Sequence, residues 1–110
     1  MPSGPRATFQ LDGDWIFLLH TNGDIEIKER NGATYTYTQT INEGSLYIYD
    51  VAISSDQKYF AFGADDNLIR VYENIGGVFL SKQTIAAGRQ VYRINFLGNT
   101  MEVHGWGLNV

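Results

Sequence analysis

The chain has 110 residues and a formal net charge of −4, and it contains no cysteine. This length fits one ordinary domain with its own hydrophobic core, and the absence of cysteine excludes disulfides, thiolate zinc sites and cysteine nucleophiles. The acidic balance argues against nucleic acid as a partner, because binding to DNA depends largely on neutralising phosphates with Lys and Arg.

The N-terminal residues 1–6 form a short polar tail in the prediction. No stretch of the chain approaches the roughly 18 apolar residues of a membrane span. The sequence also has no Asn-x-Ser/Thr glycosylation acceptor,. We therefore expect a soluble cytoplasmic protein that makes no membrane contact.

Four strands are predicted after the tail. In the third of them, Ile25 and Ile27 alternate with Glu26 and Lys28, the period of two expected when one face of a strand is buried. Glycine and asparagine, which tolerate positive φ, mark the turns between the strands. The predicted strands are Ala7 to Leu11, Asp14 to His20, the segment around Ile25 and Ile27, and Thr34 to Ile41.

The following residues repeat this pattern at a distance of 44 positions. Similar residues, such as Phe9 and Ile53, also coincide in this register. Self-similarity at a fixed period is the signature of a repeat protein. The eight identities are Asp12/Asp56, Ile25/Ile69, Glu29/Glu73, Gly32/Gly76, Gln39/Gln83, Thr40/Thr84, Ile41/Ile85 and Gly44/Gly88.

A third copy begins near the end of the chain. Residues 91–96 match residues 48–53 after a slip of one position, and residues 101–106 take the place of residues 59–64. The sequence therefore predicts two complete units and about half of a third.

The second unit resembles a WD repeat. Residues 51–58 are similar to the inner strand and first turn of that family, and residues 63–73 to its second turn and third strand. Asp66 stands where the family carries a structural turn aspartate, and Tyr72-Glu73 stands where it carries Trp-Asp, although the family's Gly-His pair is absent.

This resemblance implies an all-β fold, a partial β-propeller of four-stranded antiparallel blades. Blade 1 would be residues 7–47, blade 2 residues 48–90 and an incomplete blade 3 residues 91–110. Closed propellers have about four to eight blades, so we expect either a fragment of a longer protein or copies that assemble into a homo-oligomeric ring. The alternative is a single β-sandwich, but sandwich strands need no internal register of 44 residues.

No catalytic, metal or cofactor site is predicted. His20 and His104 lack a second histidine at ligand spacing,. The aspartates of the turns do not reproduce a calcium loop, and no nucleophile elbow or phosphate-binding loop occurs. We expect a protein that is not an enzyme.

The resemblance implies a scaffold that binds other proteins or peptides on the flat faces of the propeller. The alternative is a lectin-type propeller with one sugar site in each blade. A repeat lectin should preserve its binding loops better than its strands, whereas Asp65-Asp66-Asn67 differs from Thr21-Asn22-Gly23. This difference favours the scaffold.

A partner is expected at the loops that connect one blade to the next, residues 43–49 and 87–93, which should share one rim. Tyrosine and arginine are the residue types that most often anchor interfaces. For Tyr49 and Tyr92 the alternative of packing between blades stays open. The predicted partner-binding residues are Tyr47, Tyr49, Arg89, Tyr92 and Arg93.

Overall fold

The computed structural model describes residues 5–11, 14–98, 100–105 and 108–109, and the side chains of residues 14–98 and 100–105. These residues form β-strands and turns without a helix, so the predicted all-β class is confirmed. In this part of the chain no helix could cross a membrane. The strands are β1 (Pro5–Leu11), β2 (Trp15–His20), β3 (Asp24–Asn31), β4 (Thr34–Asn42), β5 (Ile48–Ile53), β6 (Tyr59–Ala64), β7 (Leu68–Ile75), β8 (Val78–Ala86), β9 (Val91–Leu97), β10 (Thr100–Gly105) and β11 (Leu108–Asn109).

The strands form three antiparallel sheets in which sequence neighbours are also spatial neighbours. Sheet 1 has the order β1-β2-β3-β4, sheet 2 has the order β5-β6-β7-β8, and sheet 3 pairs β9 with β10 and β10 with β11. The chain divides into two compact units, residues 1–47 and residues 48–110. Sheet 1 lies in the first unit, and sheets 2 and 3 lie in the second.

Sheets 1 and 2 share one register in their last three strands. Trp15 pairs with Glu29 in sheet 1, and Tyr59 pairs with Glu73 in sheet 2. Both sheets also have a β-bulge at the same place, after Ile27 and after Val71. The shift of 44 residues is therefore confirmed for strands two to four.

The first strand departs from that register. Phe9 pairs with Phe17, whereas the residue 44 positions after Phe17, Ala61, pairs with Ala52. The predicted equivalence of Phe9 and Ile53 is therefore wrong by one residue. The cause is the length of the connection: three residues separate the paired Leu11 and Trp15, whereas four separate Ser54 and Tyr59, which are joined by a backbone hydrogen bond of 2.8 Å.

The first strand begins earlier than predicted. β1 begins at Pro5, two residues before the predicted first strand. The predicted turn at Asp12-Gly13, residues 1–4 of the predicted tail and Trp106 lie outside the described residues.

One face of sheet 1 is buried. Ile25 and Ile27 are fully buried, as the period-two pattern predicts, whereas Glu26 and Lys28 on the other face are partly exposed. Strand pairing places the apolar side chains of three neighbouring strands on this face. They are Trp15, Phe17, Leu19, Ile25, Ile27 and Ile41.

Sheet 2 has a different core on each face. One face carries aromatic rings, with the Phe60 centroid 5.7 Å from those of Phe62 and Phe79. The other face packs against sheet 3. This second core contains Ala52, Ala61, Ile69, Val91, Ile94 and Val103.

Small residues permit the close approach of sheet 3. A Cβ atom added to Gly63 would lie 3.0 Å from the Cβ and Cγ1 atoms of Val91. Ile69 is buried as predicted, but Val71 is only partly buried, at the margin of this core. The predicted equivalence of Ile27 and Val71 therefore applies to strand position and not to the extent of burial.

Candidate functional site

The first strand of each sheet begins with a β-bulge. In sheets 2 and 3 the extra residues are Tyr49, between Ile48 and Asp50, and Tyr92, between Val91 and Arg93. Sheet 1 has a register shift at the corresponding place, between Pro5 and Ala7. A bulge bends the strand and redirects side chains. Two of the predicted partner-binding tyrosines are therefore the extra residues of β-bulges.

In sheet 2 the residues at the bulge connect to sheet 3. The hydroxyl of Tyr49 donates a hydrogen bond of 3.1 Å to Oε1 of Gln90, in the loop that precedes β9. The Oδ2 atom of Asp50 accepts a hydrogen bond of 2.8 Å from the backbone N–H of Ile94. For Tyr49 this geometry agrees with the alternative of packing between two sheets.

The environment of Asp50 is only partly favourable to a negative charge. Burial raises the pKa of its carboxyl above the ordinary value, although the N–H groups of Ile94 and Val51 and the charge of Arg93 act in the opposite direction,. The carboxylate is therefore desolvated but provided with donors.

The corresponding positions of sheet 3 face solvent. Tyr92 is 45% exposed, and Arg93 beside it is exposed. Arg89, in the loop between β8 and β9, is also exposed. Among the described residues neither guanidinium takes part in a hydrogen bond or salt bridge. Arg89, Tyr92 and Arg93 form what we call the arginine–tyrosine surface.

Tyr47 is the last residue of the first compact unit and is 48% exposed. The remaining four predicted residues, Tyr49, Arg89, Tyr92 and Arg93, belong to the second unit. Tyr49 lies near the start of β5, Tyr92 and Arg93 lie near the start of β9, and Arg89 lies in the loop before β9.

The side chain of Asp66 forms hydrogen bonds that stabilise the turn between β6 and β7. Its Oδ1 accepts hydrogen bonds from the backbone N–H of Leu68 and from Nη1 of Arg70, at 3.3 and 3.2 Å. Its Oδ2 lies 2.6 Å from Nη2 of the same guanidinium. These contacts with Arg70 hold the pKa of Asp66 below its ordinary value. The geometry suits the predicted structural role.

The equivalent turn of sheet 1 keeps the hydrogen bond to Oδ1 and replaces the contact with arginine. Oδ1 of Asn22 accepts a hydrogen bond from the backbone N–H of Asp24, and Oδ1 of Asp24 accepts one from Asn42, at 2.6 Å. Asn42 in turn accepts a hydrogen bond from the N–H of Gly44. The same turn geometry is thus stabilised by different side chains in the two repeats.

The sequence did not reveal the roles of Asp50 and Gln90. The charge difference between Asp50 and Arg93 is visible in the repeat, but it does not show that the carboxylate reaches Ile94. Nothing in the sequence distinguishes Gln90 from other polar loop residues. Both contacts depend on the position of sheet 3.

Each histidine lies beside a glutamate. His20 Nε2 lies 3.0 Å from Glu26 Oε1, and His104 Nε2 lies 3.2 Å from Glu102 Oε1. Within residues 14–98 and 100–105 no three side chains of the types that bind metals come together.

No protein-family model matches the chain, and no curated protein matches it. The features that bear on function are the repeated sheets, the bulges at the start of β5 and β9, and the arginine–tyrosine surface.

Proposed function

We propose that the chain is made of WD-repeat-like β-propeller blades and acts as a non-catalytic cytoplasmic scaffold for other proteins or peptides. Sheets 1 and 2 support the architecture, because each is a four-stranded antiparallel unit whose last three strands have the same pairings and the same bulge between the third and fourth strands. Such units of about 40 to 45 residues are typical of propeller blades.

The observation that carries the binding proposal is the exposure of the arginine–tyrosine surface. Arg89 and Arg93 are exposed cations in a chain of net charge −4, and Tyr92 lies between them in the sequence with 45% of its surface exposed. Arginine and tyrosine combine a large contact area with directional hydrogen bonding, and both are enriched among the residues that dominate binding energy.

The turn networks favour a scaffold over a repeat lectin. A lectin with one sugar site in each blade needs the same polar groups in each copy. The turn of sheet 2 presents the pair of Asp66 and Arg70, whereas the turn of sheet 1 presents Asn22, Asp24 and Asn42. Both turns have a hydrogen bond from a backbone N–H to the Oδ1 atom two residues earlier, but the charged pair of Asp66 and Arg70 is not repeated.

Charge reversal at the surface tests the proposal. In the R89E/R93E double variant, capture of protein partners from a cell extract should be lost, while circular dichroism and the melting temperature remain unchanged. The control is K58E/K82E, which reverses the charge of two exposed lysines in the same compact unit. If R89E/R93E captures the same proteins as the control, or if it does not fold, the arginine–tyrosine surface is not the binding site.

A further inference from the structure

Two side-chain hydrogen bonds between sheets 2 and 3 come from two consecutive residues. Tyr49 is the bulge residue of β5, and Asp50 follows it; their side chains bond to Gln90 and to the N–H of Ile94. In β9 the bulge residue is Tyr92, and Arg93 follows it. Tyr92 and Arg93 therefore occupy the positions from which sheet 2 contacts its neighbour.

The chemistry at the second of these positions is reversed. The carboxylate of Asp50 accepts a hydrogen bond from a backbone N–H, whereas the guanidinium of Arg93 is donor-only and permanently charged. Consider a chain segment that lies beside β9 in the way that β9 lies beside β5. Such a segment must supply acceptor groups to Arg93. Carboxylates are the best match, because they pair with a guanidinium through two parallel hydrogen bonds.

The outer face of sheet 3 is polar and carries both basic and acidic side chains. Arg93 pairs with His104 across the sheet, and Asn95 pairs with Glu102, so these four side chains share a face. Glu102 already lies 3.2 Å from His104. The opposite face, with Ile94 and Val103, is apolar and buried against sheet 2.

We propose that the arginine–tyrosine surface binds an extended acidic segment of a partner protein. Its carboxylates accept hydrogen bonds from Arg93 and Arg89, and its backbone packs across Tyr92. We expect an extended segment by comparison with sheet 2. There the groups bonded to Tyr49 and Asp50 are Gln90, in the loop before β9, and Ile94, in β9 itself. This inference rests on the proposed scaffold function and specifies the chemistry of the partner.

A peptide probe tests the inference on the full chain. A fluorescein-labelled decapeptide of alternating Glu and Thr should bind in a fluorescence polarisation assay, with an affinity that falls as salt is raised. The same peptide with Gln in place of Glu should bind at least about tenfold more weakly, since the charge pairs are lost. R93E should reduce binding of the Glu peptide by a similar factor, and K58E should leave it unchanged.

The inference is wrong if the Glu and Gln peptides bind equally well, or if neither binds. It is also wrong if R93E and K58E bind the Glu peptide with the same affinity. R93Q, which removes the charge without reversing it, separates loss of the cation from repulsion, and its circular dichroism shows whether the fold is retained. Capture of partners from extract tests the scaffold separately. If capture depends on Arg89 and Arg93 but the Glu peptide does not bind, the scaffold remains and the acidic partner is rejected.

Discussion

The carboxylate of Asp50 accepts a hydrogen bond of 2.8 Å from the backbone N–H of Ile94, which lies 44 residues further along the chain. The two residues lie on the first strands, β5 and β9, of consecutive sheets, and Ile94 directly follows Arg93, the residue equivalent to Asp50. The contact links the side chain of Asp50 in sheet 2 to the backbone of sheet 3.

Removal of the Asp50 carboxylate should weaken this link. Ile94 is 4% exposed, so in D50A its N–H would lose its acceptor in a place that water hardly reaches. We expect the free energy of unfolding to fall by about 1 to 3 kcal/mol, measured by urea denaturation. D50N retains an acceptor oxygen and serves as the control. A loss in D50A no larger than in D50N would show that the hydrogen bond contributes little.

The Asp66–Arg70 pair should make stability depend on pH. The guanidinium of Arg70 lowers the pKa of Asp66 below 3.8 in the folded state. A lowered folded pKa gives stability that is present above the unfolded pKa and is lost as the pH falls through the folded value. Wild type should therefore be more stable than D66N at about pH 7, and the difference should shrink below about pH 4. Thermal unfolding of both proteins over this range measures it, and a difference independent of pH would contradict the assignment.

The extent of burial separates two positions of β7. Ile69 is 3% exposed and packs in the core between sheets 2 and 3, whereas Val71 lies at the margin of that core. I69A should lower the free energy of unfolding by about 2 to 5 kcal/mol, and V71A should cost clearly less. If I69A behaves like a surface change, within about 0.5 kcal/mol, the strand register is wrong.

The contact of Gly63 with Val91 predicts a steric effect. In G63A the new methyl group would lie 3.0 Å from the side chain of Val91, and such overpacking typically costs about 1 to 3 kcal/mol. V91A removes the obstructing atoms, so G63A should be less harmful in the V91A background than in wild type. A double-mutant cycle by urea denaturation measures this coupling. Additive effects would show that the two residues do not compete for space.

Exposed apolar residues at the β7–β8 hairpin predict self-association. Ile75, Val78 and Leu80 are 54%, 49% and 50% exposed, and β8 is an edge strand of sheet 2. Unprotected apolar edges favour pairing with other chains. Light scattering should therefore show oligomers or aggregates that decrease in V78K/L80K. A clean monomer of the wild-type chain, with cooperative unfolding, would count against the propeller proposal.

Local chemistry made much of the fold predictable. Alternation of apolar and polar residues around Ile25 and Ile69 indicates strands with one buried face, because side chains alternate across a strand. Gly and Asn mark the turns because they tolerate positive φ, as Gly32 and Asn67 do here,. The shift of 44 residues then relates the second, third and fourth strands of two sheets.

Tertiary packing decided the features that matter for binding. The hydrogen bonds from Tyr49 to Gln90 and from Ile94 to Asp50 depend on how sheet 3 packs against sheet 2. Residues far apart in the sequence make these contacts, so the local pattern does not encode them. The sequence predicted Arg93 as a partner-binding residue, and the structure adds that Arg93 lies beside a bulge, in the position equivalent to that of Asp50.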